Sequence, residues 1–198
     1  HILLEELGVP FELVLVDRSR HAQRSPEYLR LNPNGKIPVL VDGDLVLYET
    51  AAIALHLADR HPQAGLAPPL GTPDRSRLYK WLMWSTNTLQ AELMLYFYAE
   101  RWTDTPDAQA QLKANAEQRV ATMVDQLDAE LARRGGPWFL GESFSLLEPY
   151  LLMLCCWTRG MARPARTLPH LARHLQRVLD RPAVQRAFQQ EGISAPLV

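Results

Sequence analysis

Cysteine is scarce in this sequence of 198 residues, and the two that occur, Cys155 and Cys156, are neighbours in the chain. Adjacent cysteines cannot link distant segments, so a disulfide-stabilised scaffold is excluded and a reducing compartment is expected. We therefore expect a cytoplasmic protein. Because the pair lies among apolar residues of a predicted helix, we interpret both thiols as buried groups without a redox role.

Long apolar runs and an excess of one charge are also absent. No stretch approaches the roughly 20 uninterrupted apolar residues of a membrane span, so no membrane partner is expected. The net charge of −1 gives no overall field that would attract nucleic acid, so no nucleic-acid partner is expected either. We interpret the arginines between Arg159 and Arg186 as a solvated helix face. A small or neutral ligand remains open.

The first residues predict a helix followed by a strand. "HILLEELGVP" carries the apolar face of a helix that ends near Gly8, and "FELVLVD", residues 11–17, alternates as a strand does. A helix at this place is typical of the second half of a strand–helix unit, so we expect a first strand before His1. Ser25 and Pro26 then provide the cap and the first-turn proline of a short helix, "PEYLRL".

A hairpin is predicted next. The apolar runs "KIPVLV" and "LVLY" flank "DGD", and Asp-Gly between such runs is a strong signal for two antiparallel strands. "TAAIALHLADRH" then has the composition of a well-buried helix of about three turns. Residues 1–63 are thus predicted to contain helices and strands in the order α, β, α, β, β, α.

The remaining residues predict helices alone. Proline and glycine gather from Pro62 to Pro73, as they do in a tether between two packed units. We place a linker at residues 64–73, between a mixed domain at 1–63 and an all-α domain at 74–198. The predicted helices of the second domain span residues 74–102, 107–134, 145–159, 171–180 and 182–190.

Two features of the first domain can hold a ligand. Pro38 cannot donate to a strand ladder, so it belongs at an edge or a bulge and leaves backbone groups free to pair with an extended peptide. Glu49 and Thr50 stand where a helix begins after a strand, where a hydroxyl and free N–H groups suit a carboxylate and the acid suits an ammonium. Each feature alone also has an ordinary interpretation, an edge-blunting proline or a helix cap.

The order and spacing of these features resemble the cytosolic glutathione transferase family. "NPNGKIPVL", "YETAAIALHLA" and "LDRPAVQRAFQQEGI" are similar to the family's cis-proline strand, its Glu-Ser/Thr helix start and a C-terminal signature of bacterial members. The similarity covers essentially the whole chain. It implies a fold of class α/β plus all-α, in which a thioredoxin-like N-terminal domain, its first strand missing from this chain, precedes an all-helical C-terminal domain.

By this resemblance, glutathione is the co-substrate and no metal is needed. Ile37 and Pro38 would bind its cysteinyl backbone, and Glu49 and Thr50 its γ-glutamyl end. Lys36 could reach the glycyl carboxylate, although an exposed strand lysine is an ordinary feature of protein surfaces. The residue that activates the thiol, a Tyr, Ser or Cys in this family, would lie upstream, so we assign no catalytic residue.

The resemblance also implies the reaction and the assembly. The expected reaction joins glutathione to a small hydrophobic electrophile, or uses glutathione to reduce or isomerise it, in a homodimer. Gln90 stands where bacterial members often have a glutathione-facing His, and aromatic residues of the same predicted helix could line the electrophile pocket. Two alternatives are a non-catalytic interaction module of the type that binds RNA polymerase and a zeta-type maleyl isomerase.

One helix start has a folding role by itself. "SLLE" places Ser145 and Glu148 three residues apart at the beginning of a predicted helix, which is the spacing of a capping box. Because such a pair satisfies free N–H groups at the helix start, we interpret it as a structural feature and not as part of a site.

Overall fold

The computed structural model describes residues 1–194. Its first sixty residues contain three α-helices, two short 3-10 helices and one hairpin. The hairpin pairs Val39 with Tyr48 and Asp42 with Leu45 in antiparallel register. The predicted order of these elements is confirmed except for one strand. The elements are α1 (Ile2–Leu7), α2 (Pro26–Leu31), β1 (Val39–Asp42), β2 (Leu45–Tyr48) and α3 (Thr50–Arg60).

The strand predicted over residues 11–17 is not formed. Leu13, Val14 and Leu15 are 51%, 76% and 91% exposed, and no strand pairs with this segment within residues 1–194. The alternating pattern satisfies the side-chain requirement of a strand, but a strand also needs a neighbour that completes its backbone hydrogen bonds. The prediction of a strand here was therefore wrong for the described chain.

Every described element after α3 is helical, as predicted. One long run of helix is interrupted by a π turn at Ser85–Gln90, so the helix predicted over 74–102 consists of α4, the π turn and α5, and ends at Phe97. The α-helices are α4 (Pro73–Trp84), α5 (Ala91–Phe97), α6 (Pro106–Arg134), α7 (Leu147–Trp157), α8 (Pro169–Leu179) and α9 (Pro182–Gln190). Within residues 1–194, no helix combines the length and apolar character that crossing a membrane requires.

A single hydrophobic core joins the mixed and helical parts. It includes Ala54 of α3, Leu66 from the segment after α3, and the buried faces of α4 to α8. The backbone carbonyl of Leu66 also accepts a 2.8 Å hydrogen bond from the amide of Leu146, just before α7. Helix α7 lies at the centre of this core. It is apolar on nearly all sides, and a helix of that kind is stable only when other elements surround it.

Charged side chains fasten α1 to the end of the helical part. Arg181 donates two hydrogen bonds to Glu6, at 2.5 and 2.6 Å, and its guanidinium lies 3.8 Å from the ring centre of Phe144. Arg186 donates to Glu5 at 2.6 Å. We call Glu5, Glu6, Arg181 and Arg186 the α1 clamp.

The predicted capping box at the start of α7 is confirmed and is fully buried. The Glu148 carboxylate accepts hydrogen bonds from the amide and hydroxyl of Ser145, at 2.7 and 2.8 Å, and from the amide of Phe139 at 2.9 Å. Burial raises the pKa of Glu148 to about 7, and the three donors only partly oppose this effect. One carboxylate therefore holds both the helix start and the loop before it.

His174 of α8 is a buried neutral histidine. Its side chain is 1% exposed, and its ring lies with its centre 6.3 Å from those of Trp138 and Phe139. Neither ring nitrogen meets a hydrogen-bond partner among residues 1–194, although the nearby Pro137 carbonyl slightly favours the protonated ring. Burial outweighs this influence and lowers the pKa of His174 to about 4.

The buried histidine should make stability depend on pH. A folded-state pKa near 4, below the ordinary 6.5, means that the unfolded chain binds a proton first, so acidification from pH 6.5 towards 4 destabilises the fold. The free energy of unfolding of His174→Leu, relative to that of wild type, should therefore rise by about 2 kcal/mol when the pH falls from 6.5 to 5. Urea unfolding of both proteins at the two pH values measures this change, and a constant difference would contradict it.

Candidate functional site

The turn before the first strand is held by its own side chains. The amide of Asn34 donates to the Asn32 side-chain oxygen at 3.0 Å, and the amide of Gly35 donates to the Asn32 carbonyl at 2.9 Å. Gly35 has φ +60°, and a Cβ at this position would lie 3.1 Å from the carbonyl oxygen of Gln23. The turn thus requires glycine both for its backbone conformation and for its close approach to Gln23.

Residues 36–38 form an open backbone edge. The Ile37–Pro38 peptide bond is cis, as the resemblance predicts. Ile37 is 47% exposed, and within residues 1–194 its N–H and C=O make no hydrogen bond. The carbonyl of Lys36, in contrast, accepts hydrogen bonds from the Tyr28 hydroxyl and the Asn32 amide, both at 2.7 Å. A ligand backbone can therefore pair at Ile37.

The start of α3 lies beside this edge. Because Val39 pairs with Tyr48, the next residues outward, Pro38 and Glu49, are neighbours at the same end of the hairpin. Thr50 is the first residue of the 11-residue helix, and Glu49 precedes it with φ +71° and makes no side-chain cap. The N–H groups of the first turn therefore lie next to the open edge.

The Thr50 hydroxyl is not used as a helix cap. It makes no hydrogen bond within the part of the chain that the structure describes, and its residue is partly exposed. The ordinary interpretation of this threonine, a capping side chain, is therefore not what the structure has. The hydroxyl, the first-turn N–H groups and the positive end of the helix dipole form a site suited to a carboxylate.

The helical part contributes a polar pair near Glu49. The Tyr150 hydroxyl donates to the Gln90 side-chain oxygen at 2.7 Å, and Tyr150 is 5% exposed. Burial, and in smaller measure the charge of Glu49, raises the pKa of Tyr150, so the Glu49 carboxylate lies close enough for its charge to act on this pair. The sequence pattern indicated Gln90 and did not indicate Tyr150, whose role depends on tertiary packing.

Two cations border the turn. Lys36 is exposed, and neither its ammonium nor the guanidinium of Arg24 forms an ion pair within residues 1–194. The Arg24 Cδ lies 3.7 Å from the position of a Cβ on Gly35, so the Arg24 side chain passes directly beside the turn. Sequence reasoning found Lys36 and missed Arg24, because the latter lies in the irregular segment after residue 17.

Partly exposed aromatic side chains lie at the ends of α5 and α7. Phe97 is 44% exposed and meets Trp157 edge-on with 6.4 Å between ring centres, and Trp102 is 54% exposed. Trp81, in contrast, is 4% exposed and packs in the core. The aromatic residues of the predicted helix are thus divided between the core and the surface. Among residues 1–194, no group of three or more His, Cys, Asp or Glu side chains could hold a metal ion.

Known proteins share this architecture. Residues 1–60 match the family model of the glutathione S-transferase N-terminal domain. Glutathione S-transferase GstA of Escherichia coli O157:H7 is 30% identical, with 98% of this chain and 92% of that protein aligned. Glutathione S-transferase 3 of Zea mays is 33% identical, with 98% and 89% aligned. A solved sphingomonad glutathione S-transferase complexed with glutathione has a TM-score of 0.83 at 33% identity, covering 98% of this chain and 93% of its own.

These comparisons define a transferase built from a thioredoxin-like N-terminal domain and an all-helical C-terminal domain, and they confirm the predicted fold class. The chain belongs to the glutathione S-transferase family. The family resemblance and the enzyme class predicted from the sequence are therefore correct.

Proposed function

We propose that this chain binds glutathione along Ile37 and Pro38 and promotes attack of the glutathione sulfur on a small hydrophobic electrophile. The observation that supports the proposal is that an open backbone edge and a helix start without a side-chain cap lie next to each other at one end of the hairpin. An extended peptide can add to such an edge through main-chain hydrogen bonds. The sphingomonad relative, with 33% identity, was solved in complex with glutathione.

Each end of the tripeptide has a complementary group in this proposal. Thr50 and the first-turn N–H groups of α3 receive the γ-glutamyl carboxylate, and Glu49 receives the ammonium. Lys36 receives the glycyl carboxylate, and Arg24 supplies a second cation on the same side. Opposite charges at matching positions would fix the direction in which glutathione lies.

The proposed chemistry requires a thiolate. A thiol is mostly protonated at neutral pH, so the protein must lower its pKa with a hydrogen-bond donor or a positive potential. We assign no thiol-activating residue within 1–198. Gln90 is proposed to present its amide N–H groups to the ligand, because its oxygen is occupied by the Tyr150 hydroxyl.

The remaining parts of the proposal concern the electrophile and the assembly. The exposed side chains of Phe97 and Trp102 and the partly buried ring of Trp157 are proposed to contact the hydrophobic electrophile. We also propose that residues 1–63 hold glutathione, that 64–73 link the two units, and that 74–198 serve the electrophile in a homodimer.

Calorimetric titration with glutathione at neutral pH tests the proposal. Thr50→Ala should weaken saturable binding about tenfold, because it removes a hydrogen bond to a charged carboxylate. Thr122→Ala is the matched control, since that threonine lies exposed on α6 and bonds only to the Gln118 carbonyl of its own helix. Absence of binding heat in the unaltered chain would contradict the proposal and favour the non-catalytic interaction module.

A further inference from the structure

We propose that Tyr28 and Asn32 are positioning residues that orient the Lys36–Ile37 peptide group for pairing with the ligand backbone. The inference rests on the proposed glutathione function and adds residues that do not touch the ligand themselves. It follows from one unusual feature, the convergence of two buried side-chain donors on a single backbone carbonyl.

Both donors are buried and held in place. Tyr28 is 9% exposed and Asn32 is 3% exposed. Tyr28 lies in the first turn of α2, where its own amide donates to the Ser25 hydroxyl at 3.2 Å. The Asn32 side-chain oxygen accepts from the amide of Asn34, so its NH₂ group must be the part that faces Lys36. Neither side chain can turn away without leaving a buried polar group unpaired.

The orientation of one carbonyl determines the direction of the next amide. The two 2.7 Å hydrogen bonds occupy both lone pairs of the Lys36 oxygen and turn it inward. The Lys36–Ile37 peptide bond is trans, so the Ile37 N–H points away from the carbonyl, towards the open side. Because the N–H of Ile37 has no partner within residues 1–194, it is the group that this arrangement presents to a ligand.

A purely structural role is the competing explanation. Any buried carbonyl benefits from donors, and Tyr28 and Asn32 would then stabilise the turn without affecting a ligand. The two roles differ in what a variant does. Loss of stability lowers the fraction of binding-competent protein, whereas loss of orientation weakens each binding event in protein that remains folded.

The test is calorimetric titration of glutathione into wild type, Tyr28→Phe, Asn32→Asp and the control Tyr98→Phe. Tyr28→Phe removes only a hydroxyl, and Asn32→Asp keeps the acceptor for Asn34 but loses the donor to Lys36. Tyr98→Phe makes the same chemical change as the first variant in a residue whose ring stacks under Arg101. Far-ultraviolet circular dichroism establishes that each variant is folded at the titration temperature.

We expect the dissociation constant to rise about tenfold in Tyr28→Phe and Asn32→Asp at unchanged stoichiometry, and less than about twofold in Tyr98→Phe. If Asn32→Asp does not fold, the dissociation constant of Tyr28→Phe alone tests the positioning role. A folded Tyr28→Phe with the wild-type dissociation constant would overturn the positioning role, whether its stoichiometry is normal or reduced. No binding by wild type would overturn the glutathione proposal and this inference with it, so the two failures are distinguishable.

Discussion

Replacing Glu148 by alanine is expected to lower the free energy of unfolding by about 4 kcal/mol at pH 7. The substitution leaves three buried donors, the amides of Phe139 and Ser145 and the Ser145 hydroxyl, without an acceptor. It also opens space at the start of the central helix α7, where Leu146 and Leu147 are fully buried. Equilibrium urea unfolding followed by circular dichroism measures the loss.

The pH dependence gives this prediction a second test. Burial raises the folded-state pKa of Glu148 to about 7, above the ordinary 4.5. The contribution of this side chain to the free energy of unfolding is therefore fully present below pH 4.5 and declines as the pH rises towards 7. The difference in free energy of unfolding between wild type and Glu148→Ala should therefore increase on acidification from pH 7 to 5. Glu142→Ala is the control, since this exposed acid of the same loop makes no hydrogen bond or ion pair within residues 1–194. Equal losses in the two variants would contradict the assignment.

Replacing Arg181 by alanine should lower the free energy of unfolding by about 3 kcal/mol. The Glu6 side chain is 8% exposed, so removal of its bidentate partner leaves a nearly buried carboxylate unpaired. The guanidinium also covers the ring of Phe144 at 3.8 Å, and that contact is lost as well. Thermal and urea unfolding of the variant measure the combined effect.

Arg186→Ala provides the graded comparison in the same clamp. Its side chain is 50% exposed, and its partner Glu5 keeps a 2.9 Å hydrogen bond from Gln190. The Glu5 side chain is only 10% exposed, but this hydrogen bond leaves its carboxylate a partner when Arg186 is removed, so Arg186→Ala should be the milder variant. A double-mutant cycle with Glu6→Gln isolates the Arg181 pair, and a coupling energy near zero would show that the packing on Phe144 explains the loss.

Local signals in the sequence were sufficient for most of the fold. Asp-Gly between apolar runs located the hairpin, Ser25 and Pro26 located α2, and the Ser145–Glu148 spacing located the capping box, because each of these signals acts within a few residues. Residues 11–17 show the limit. Their alternation is correct for a strand, but a ladder depends on a neighbour that the pattern of one segment cannot specify.

The candidate site also contains features that local sequence predicts and features that it does not. The edge at Pro38 and the helix start at Thr50 follow from local chemistry, and their proximity follows from the hairpin register. The Tyr150 contact to Gln90 joins residues 60 positions apart, and no local pattern indicates it. The π turn that ends at Gln90 was also not predicted.

The α1 clamp has a consequence for how the chain is made. Arg181 and Glu6 are 175 residues apart in sequence, so their contact closes a very long loop. During synthesis on a ribosome the amino-terminal part emerges first and begins to fold as a unit. Helix α1 can therefore form these ion pairs only after Arg181 and Arg186 have emerged. Until then Glu5 and Glu6 lack these partners, and the amino-terminal unit depends on its own contacts.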